Sequence, residues 1–180
     1  MGNHSLGYLK IIEKDSGFIG GLMITDDSGI PLEFKYTEPV IPSKIQQVIY
    51  GKVLKKYIRE DVITKSLLKE LKNIPSLIIV DEPSEISGKD KIGKFPAVSI
   101  QKTSLPQLNA PGETQRVKDK EIVFQPYQDL SPLRIIFGVA DPELQEKVLP
   151  IIEEISQKMD IAEPLERVEK ALKLVWEKQE

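Results

Sequence analysis

The sequence predicts an α+β fold: a mainly antiparallel sheet, one long helical segment (straight or kinked) packed on a face of that sheet, and a C-terminal helical hairpin. Three observations predict it. Apolar and polar residues alternate within a hairpin at 18–38. Apolar residues recur at mostly helical spacing over 43–72, and two capped helical stretches follow residue 140. We therefore expect an α+β domain at 1–140 and, packed on it, the helical hairpin at 141–180.

The first elements are strands. Residues 6–12 are predicted as one strand, and 18–25 as a central strand because it is apolar on both faces. Its Gly20-Gly21 pair is costly in a strand and indicates a bulge or close backbone packing. An Asp-Asp-Ser-Gly turn then leads to a half-buried strand of alternating residues at 32–37.

The helical segment follows two prolines that end the hairpin. Ser43 and Gln46 form a capping-box pattern at its start, and Asn73 with Pro75 ends it. The apolar stripe loses phase near residues 59–61, which indicates one kinked helix or two helices in series. With the strand at 77–80, the order strand, strand, long helix, strand resembles small scaffolds of the roadblock, longin and profilin type, in the order of elements only.

The middle of the chain is rich in Pro, Gly and Lys over 81–121 and is predicted as loop with one short strand at 97–101. Two more strands are predicted at 121–125 and 133–139. Asp141-Pro142-Glu143 then starts a helix, since Asp caps the first amides and Pro suits the first helical position. A second helix begins around Pro164.

Composition excludes several chemistries. The chain has no cysteine and one histidine, His4, which excludes thiol nucleophiles, Cys/His zinc sites and Ser-His-Asp triads. Its net charge of −3 gives no global attraction to nucleic acid or to an anionic membrane. We expect a cytoplasmic location from the missing cysteines, the lack of a secretory pattern and the lack of a long apolar run. The 21 Lys against 4 Arg, with only three Asn, resemble a thermophile's composition.

One string resembles a phosphate-binding loop. Residues 88–95 have its glycine and lysine spacing, but Phe95 stands where the magnesium-binding Ser or Thr is required. Pro96 and a strand-like stretch follow instead of a helix. A solvated lysine-rich loop is the better interpretation.

A basic stripe follows the first part of the helical segment. With 100° per residue, its cations fall in one arc, and roughly opposite them lie Ile49, Val53, Leu54, Tyr57 and Ile58. The functional interpretation is a surface for a phosphate backbone or an acidic partner, and the simpler one is the solvated face of an amphipathic helix. Residues 141–180 carry the opposite charge, so the two could face each other within one chain or across a dimer. The stripe consists of Lys44, Lys52, Lys55, Lys56 and Arg59.

Carboxylates at predicted strand ends form the second candidate site. Asp26 and Asp27 lie in the hairpin turn, and Asp81 follows the strand at 77–80. Such groups can bind magnesium or act as acid and base, although aspartates are also common in turns for backbone reasons alone.

These observations leave three hypotheses. The leading one is a non-catalytic protein-interaction or adaptor module that self-associates, because no catalytic signature is present. The alternative is a nucleic-acid-binding protein that uses the basic helix at 43–59, and a further alternative is a carboxylate-metal phosphohydrolase. The sequence assigns no catalytic residue and no cofactor. The partner it favours is an unidentified protein or a second copy of the chain; nucleic acid is a less favoured partner, and a membrane is not expected.

Overall fold

The computed structural model describes residues 3–129 and 131–179 and contains a nine-stranded mixed sheet with helices on both faces. Eight strands follow the order β3-β2-β1-β4-β6-β9-β8-β7, and the short β5 pairs with β6. β4 runs parallel to both β1 and β6, whereas the other neighbours are antiparallel. The strands are β1 (Leu6–Lys14), β2 (Gly17–Thr25), β3 (Pro31–Tyr36), β4 (Leu77–Val80), β5 (Lys91–Ile92), β6 (Phe95–Lys102), β7 (Thr114–Lys118), β8 (Glu121–Phe124) and β9 (Leu133–Ile136).

The helical segment between β3 and β4 is broken into short pieces. Its α-helical pieces are α1 (Lys44–Tyr50), α2 (Leu54–Tyr57) and α3 (Lys65–Leu68). A 3₁₀ turn at Gly51–Val53 separates the first two, and a π-helical stretch at Ile58–Thr64 separates the last two. Gly51, at a positive φ of 54°, marks the kink. The predicted capping box of Ser43 and Gln46 is present.

Two long helices follow the last strand. α4 (Pro142–Ser156) and α5 (Glu163–Glu177) form the predicted C-terminal hairpin, and the Asp141 carboxylate caps α4 by accepting from the amides of Glu143 and Leu144. Both helices pack on one face of the sheet, where they form the larger buried cluster with residues such as Tyr8 and Ile79. No helix in the described part of the chain is long and apolar enough to cross a membrane.

The opposite face is covered by the second half of the helical segment. Ile58, Ile63 and Leu67 join a second buried cluster with residues that alternate out of phase with the first. The Gly20-Gly21 pair of β2 explains how both layers come so close. A Cβ at Gly20 would lie 2.2 Å from Cγ2 of Ile63, and one at Gly21 would lie 3.0 Å from Cδ2 of Leu172. Close backbone packing is thus the reason for the pair.

The predicted α+β class is confirmed, with mostly antiparallel strands. Two details differ from the predictions, and one agrees with them. The region 81–121 holds more than the one predicted strand, since about half of it lies in β5, β6, β7 and a 3₁₀ turn at Pro83–Ile86. Residues 88–94 precede a strand and no helix, in agreement with the rejected phosphate loop. The first half of the helical segment is not packed on the sheet, because α1 contains no buried residue.

Candidate functional site

A cleft opens at the carboxyl end of β4, between its parallel neighbours β1 and β6. Parallel strands leave a crevice at their carboxyl ends, which is the usual place for a site in such sheets. The start of α5 forms one wall of this cleft, and charged and polar side chains make up most of its lining. The cleft has a volume of about 380 Å³ and is lined by Lys10, Asp81, Glu82, Ile100, Gln101, Lys102, Ala162, Leu165, Glu166 and Glu169.

Lys10 lies at the centre of this cleft. Leu9 pairs with Val80 in the register of β1 and β4, so Lys10 and Asp81 lie side by side. The Lys10 ammonium donates a hydrogen bond to the Asp81 carboxylate and lies 3.4 Å from the Glu169 carboxylate on α5. Burial alone would lower the pKa of Lys10, but the hydrogen bond to Asp81 and the charges of both carboxylates outweigh it and raise that pKa. Lys10 is therefore a fixed cation between two carboxylates.

Neighbouring groups hold this arrangement in place. The Ser99 hydroxyl and the Gln101 amide each donate to the Asp81 carbonyl at 3.1 Å, which fixes the backbone after β4. On the other side of the cleft, Lys102 lies 2.8 Å from Glu166 and 3.8 Å from Asp160. The cleft thus combines two ammonium groups with several carboxylates. Among the described residues, no three Asp, Glu or His side chains are placed to hold a metal ion together.

The structure separates the carboxylates singled out in the sequence. Thr25 pairs with Leu6, so Asp26 and Asp27 lie beside the start of β1, whereas Asp81 lies beside Lys10 in its middle. The Asp26 carboxylate accepts hydrogen bonds from Ser28 and from the Ile30 amide, which is a turn-forming role. Asp27 forms an ion pair with Lys158. Only Asp81 lies in the cleft.

The basic stripe forms a second polar surface, along α1, the 3₁₀ turn and α2. Lys44, Lys52, Lys55 and Lys56 are all exposed. Lys55 pairs with Glu13 at 2.8 Å, but 69% of its side chain stays exposed. Lys44, Lys52 and Lys56 make no ion pair with any residue that the structure describes. These four lysines are the cations available to a partner.

Arg59 differs from the lysines of the stripe. Its guanidinium pairs with the Glu85 carboxylate and lies 3.8 Å from Glu13, and only 24% of its side chain is exposed. Burial raises the pKa of Glu85, and the charge of Arg59 opposes that rise. Arg59 is thus committed mainly to this ion pair.

The basic stripe and the cleft flank the same edge of the sheet. Lys55 and Arg59 contact Glu13, which lies three residues beyond Lys10 on β1, about 10 Å along the strand. The stripe does not face the acidic C-terminal hairpin, because α5 packs on the other face and pairs its carboxylates with Lys10 and Lys102. The stripe and the cleft therefore lie on opposite faces of the sheet.

Sequence reasoning missed most of the cleft. The cleft residues that the sequence does not identify include Lys10, Lys102, Glu166 and Glu169. Among them, only Lys10 has a position in the sequence that indicates a site. It continues the inward-facing series of Leu6 and Tyr8 in an otherwise buried strand, where a charged side chain needs a partner.

Comparison with known proteins gives the fold a context. No protein-family model and no curated protein matches the chain. Among solved structures, endonuclease V from Bacillus subtilis is similar with a TM-score of 0.63 at 12% identity, covering 100% of this chain and 84% of that one. Human ENDOV gives 0.58 at 13% identity, covering 99% and 87%. Ciona intestinalis endonuclease V, in complex with a 24mer DNA containing an inosine followed by a ribo-adenosine, gives 0.59 at 11% identity, covering 99% and 88%.

These likenesses show the fold over the whole chain. They also correct the leading hypothesis from the sequence. A non-catalytic, self-associating adaptor module is wrong, because the structures that share the fold are nucleic-acid enzymes, and neither a protein partner nor a homo-oligomer finds support. The nucleic-acid alternative agrees better with these findings.

Proposed function

We propose that this chain is a nucleic-acid-binding protein that holds the phosphate backbone on Lys44, Lys52, Lys55 and Lys56, with Arg59 at the end of the same surface. The observation that carries the proposal is the exposed basic stripe on the helical segment. Residues 43–59 contain five cations and no carboxylate of their own. The similarity to a fold that has been solved in complex with DNA supports the same conclusion.

The overall charge of −3 does not oppose this binding. Screening confines the field of exposed charges to about 8–10 Å at ordinary salt, so a phosphate on the stripe experiences mainly the local cations. The carboxylates of α5 lie on the opposite face of the sheet and are partly neutralised by Lys10, Lys102 and Lys173. The missing cysteines favour a reducing cytoplasm as the place where this happens.

The test is fluorescence anisotropy with a labelled oligonucleotide across a series of salt concentrations. Each phosphate contact to a single strand contributes a slope of about −0.7 to log K against log salt, so four or five contacts give about −3. Lys52→Glu together with Lys56→Glu should weaken binding at least tenfold and make the slope shallower. Lys55→Glu should act more weakly, because Glu13 already neutralises part of the charge of Lys55.

A matched control is available in the β7–β8 turn. Lys118→Glu together with Lys120→Glu makes the same change in net charge at exposed positions away from the stripe. This control should bind like the unchanged protein. Equal loss in both double variants would mean that only net charge matters, and binding that ignores salt and both variants would end the proposal.

A second candidate function is hydrolysis of nucleic acid at the cleft. The observation that favours it is the Asp81–Lys10–Glu169 cluster at the end of the parallel strands. There an ammonium could stabilise phosphate charge, and a carboxylate could accept a proton from water. An end-labelled oligonucleotide incubated with the protein and resolved on a gel tests this. Cleavage should disappear in Glu169→Gln and persist in Asp27→Asn, and no cleavage under any condition would remove this candidate.

A further inference from the structure

We propose that the nucleic acid bound by this chain is single-stranded, or unpaired where it is held, and that its bases lie on the exposed apolar and aromatic side chains of residues 45–57. This inference rests on the proposed function and names its substrate class. We call this surface the base platform; it consists of the half-buried Tyr50 and of the exposed Ile45, Val48, Ile49, Val53 and Tyr57.

The base platform is unusual because it leaves large apolar side chains in water. Ile45 is 71% exposed, Val48 82% and Ile49 74%, and Val53 on the next turn is 60% exposed. α1 buries none of its residues, so these side chains do not contribute to the core. Adjacent exposed apolar residues of this size mark an interaction surface, since covering them is favourable.

Two tyrosines add preformed aromatic surface. The rings of Tyr50 and Tyr57 lie 4.8 Å apart between centroids with an interplanar angle of 26°, which is a stacked arrangement. Tyr57 remains 38% exposed. The pair therefore offers rigid ring surface without having to be ordered by a ligand.

The surrounding charge identifies the occupant. The base platform shares its segment with Lys44, Lys52, Lys55 and Lys56, and no carboxylate lies among residues 43–59. A polyanion with apolar faces fits both properties. Phosphates of a single strand can reach the lysines while its bases stack on aromatic and aliphatic side chains. In a duplex the base faces are stacked inside, so a duplex would present only phosphates to this surface. The apolar side chains would then remain exposed to water.

The experiment compares a single-stranded DNA 20-mer with a hairpin duplex of equal phosphate count, again by anisotropy. We expect the single strand to bind at least tenfold more tightly. Tyr57→Ala should weaken single-strand binding between about 5-fold and 100-fold, the usual range for one stacked base. It should leave duplex binding unchanged. Tyr36→Ala is the matched control, because Tyr36 is 54% exposed on the edge strand β3, outside the segment.

A second variant guards against an effect on folding. Val48→Ser with Ile49→Ser alters only side chains that are mostly exposed, so stability should not change while single-strand binding falls at least fivefold. If the duplex binds as tightly as the single strand, and only the lysine variants matter, the base platform is refuted and the proposed function stands. If no oligonucleotide binds but vesicles containing phosphatidylserine do, both proposals are overturned.

Discussion

Replacing Gly20 by alanine should destabilise the fold by about 1–2 kcal/mol. A Cβ at this position would lie 2.2 Å from Cγ2 of Ile63, more than about 1 Å inside normal carbon–carbon contact. Ile63 is β-branched within a helical stretch, so it cannot rotate its methyl group away. Overpacking of this kind costs about 1–3 kcal/mol, and the lower backbone entropy of alanine returns about 0.5–1 kcal/mol.

The neighbouring glycine provides the comparison. A Cβ at Gly21 would lie 3.0 Å from Cδ2 of Leu172, the end of a flexible side chain that can move. Gly21→Ala should therefore be close to neutral. Urea unfolding followed by the fluorescence of Trp176, which packs against the core, measures both variants.

A double-mutant cycle isolates the contact. Ile63→Ala removes the clashing methyl, so the variant carrying both Gly20→Ala and Ile63→Ala should be more stable than the sum of the single effects predicts, by about 1 kcal/mol. Gly20→Ala with wild-type stability, or an additive cycle, would refute the reasoning that this glycine exists for close packing.

Three further predictions concern charges and a helix cap. Lys10→Met leaves the Asp81 carboxylate without its partner and should cost about 1–3 kcal/mol of unfolding free energy. Because folding raises the pKa of Lys10, the stabilisation that its charge gives is complete below the ordinary lysine pKa of about 10.4. It is lost as the pH rises through the higher pKa of the folded state. The free energy of unfolding should therefore fall between pH 9 and pH 12, and Lys10→Met should lack this fall. Burial raises the pKa of Glu85, and the charge of Arg59 opposes that rise, so Glu85 favours the folded state most at acid pH and less as the pH rises. Glu85→Gln should therefore become more stable relative to the unchanged protein between pH 4 and pH 7. A difference in unfolding free energy that stays constant over this range would contradict this. Asp141→Ala removes the cap of α4 and should cost about 1 kcal/mol in denaturant unfolding, whereas Asp141→Asn should retain most of it.

Elements with regular burial could be predicted from the sequence. In the first three strands, apolar residues alternate with polar ones or fill the strand. The two C-terminal helices have an apolar stripe and residues at their start that favour the beginning of a helix. These five elements are therefore predicted with small errors in their bounds. β7 was missed because all five of its residues are exposed and it therefore shows no alternation of burial. The two-residue β5 gives no periodic signal either.

The candidate site was harder to predict because it depends on tertiary contacts. Lys10 and Asp81 are 71 positions apart, and only the parallel pairing of β1 with β4 brings them together. The apolar stripe of α1 was predicted correctly as a stripe, but periodicity shows which residues share a face and not what covers that face. Val48, at 82% exposure, demonstrates this difference.

Amide chemical shifts of isotope-labelled protein, recorded while a single-stranded DNA 20-mer is added, would locate the contact surface residue by residue. Binding as proposed predicts shifts concentrated in residues 44–59, weaker ones at Glu13, which Lys55 and Arg59 contact, and little change in the β7–β8 turn. Shifts confined to other surfaces, or no shifts at low salt and high oligonucleotide concentration, would contradict a nucleic-acid-binding role for this segment.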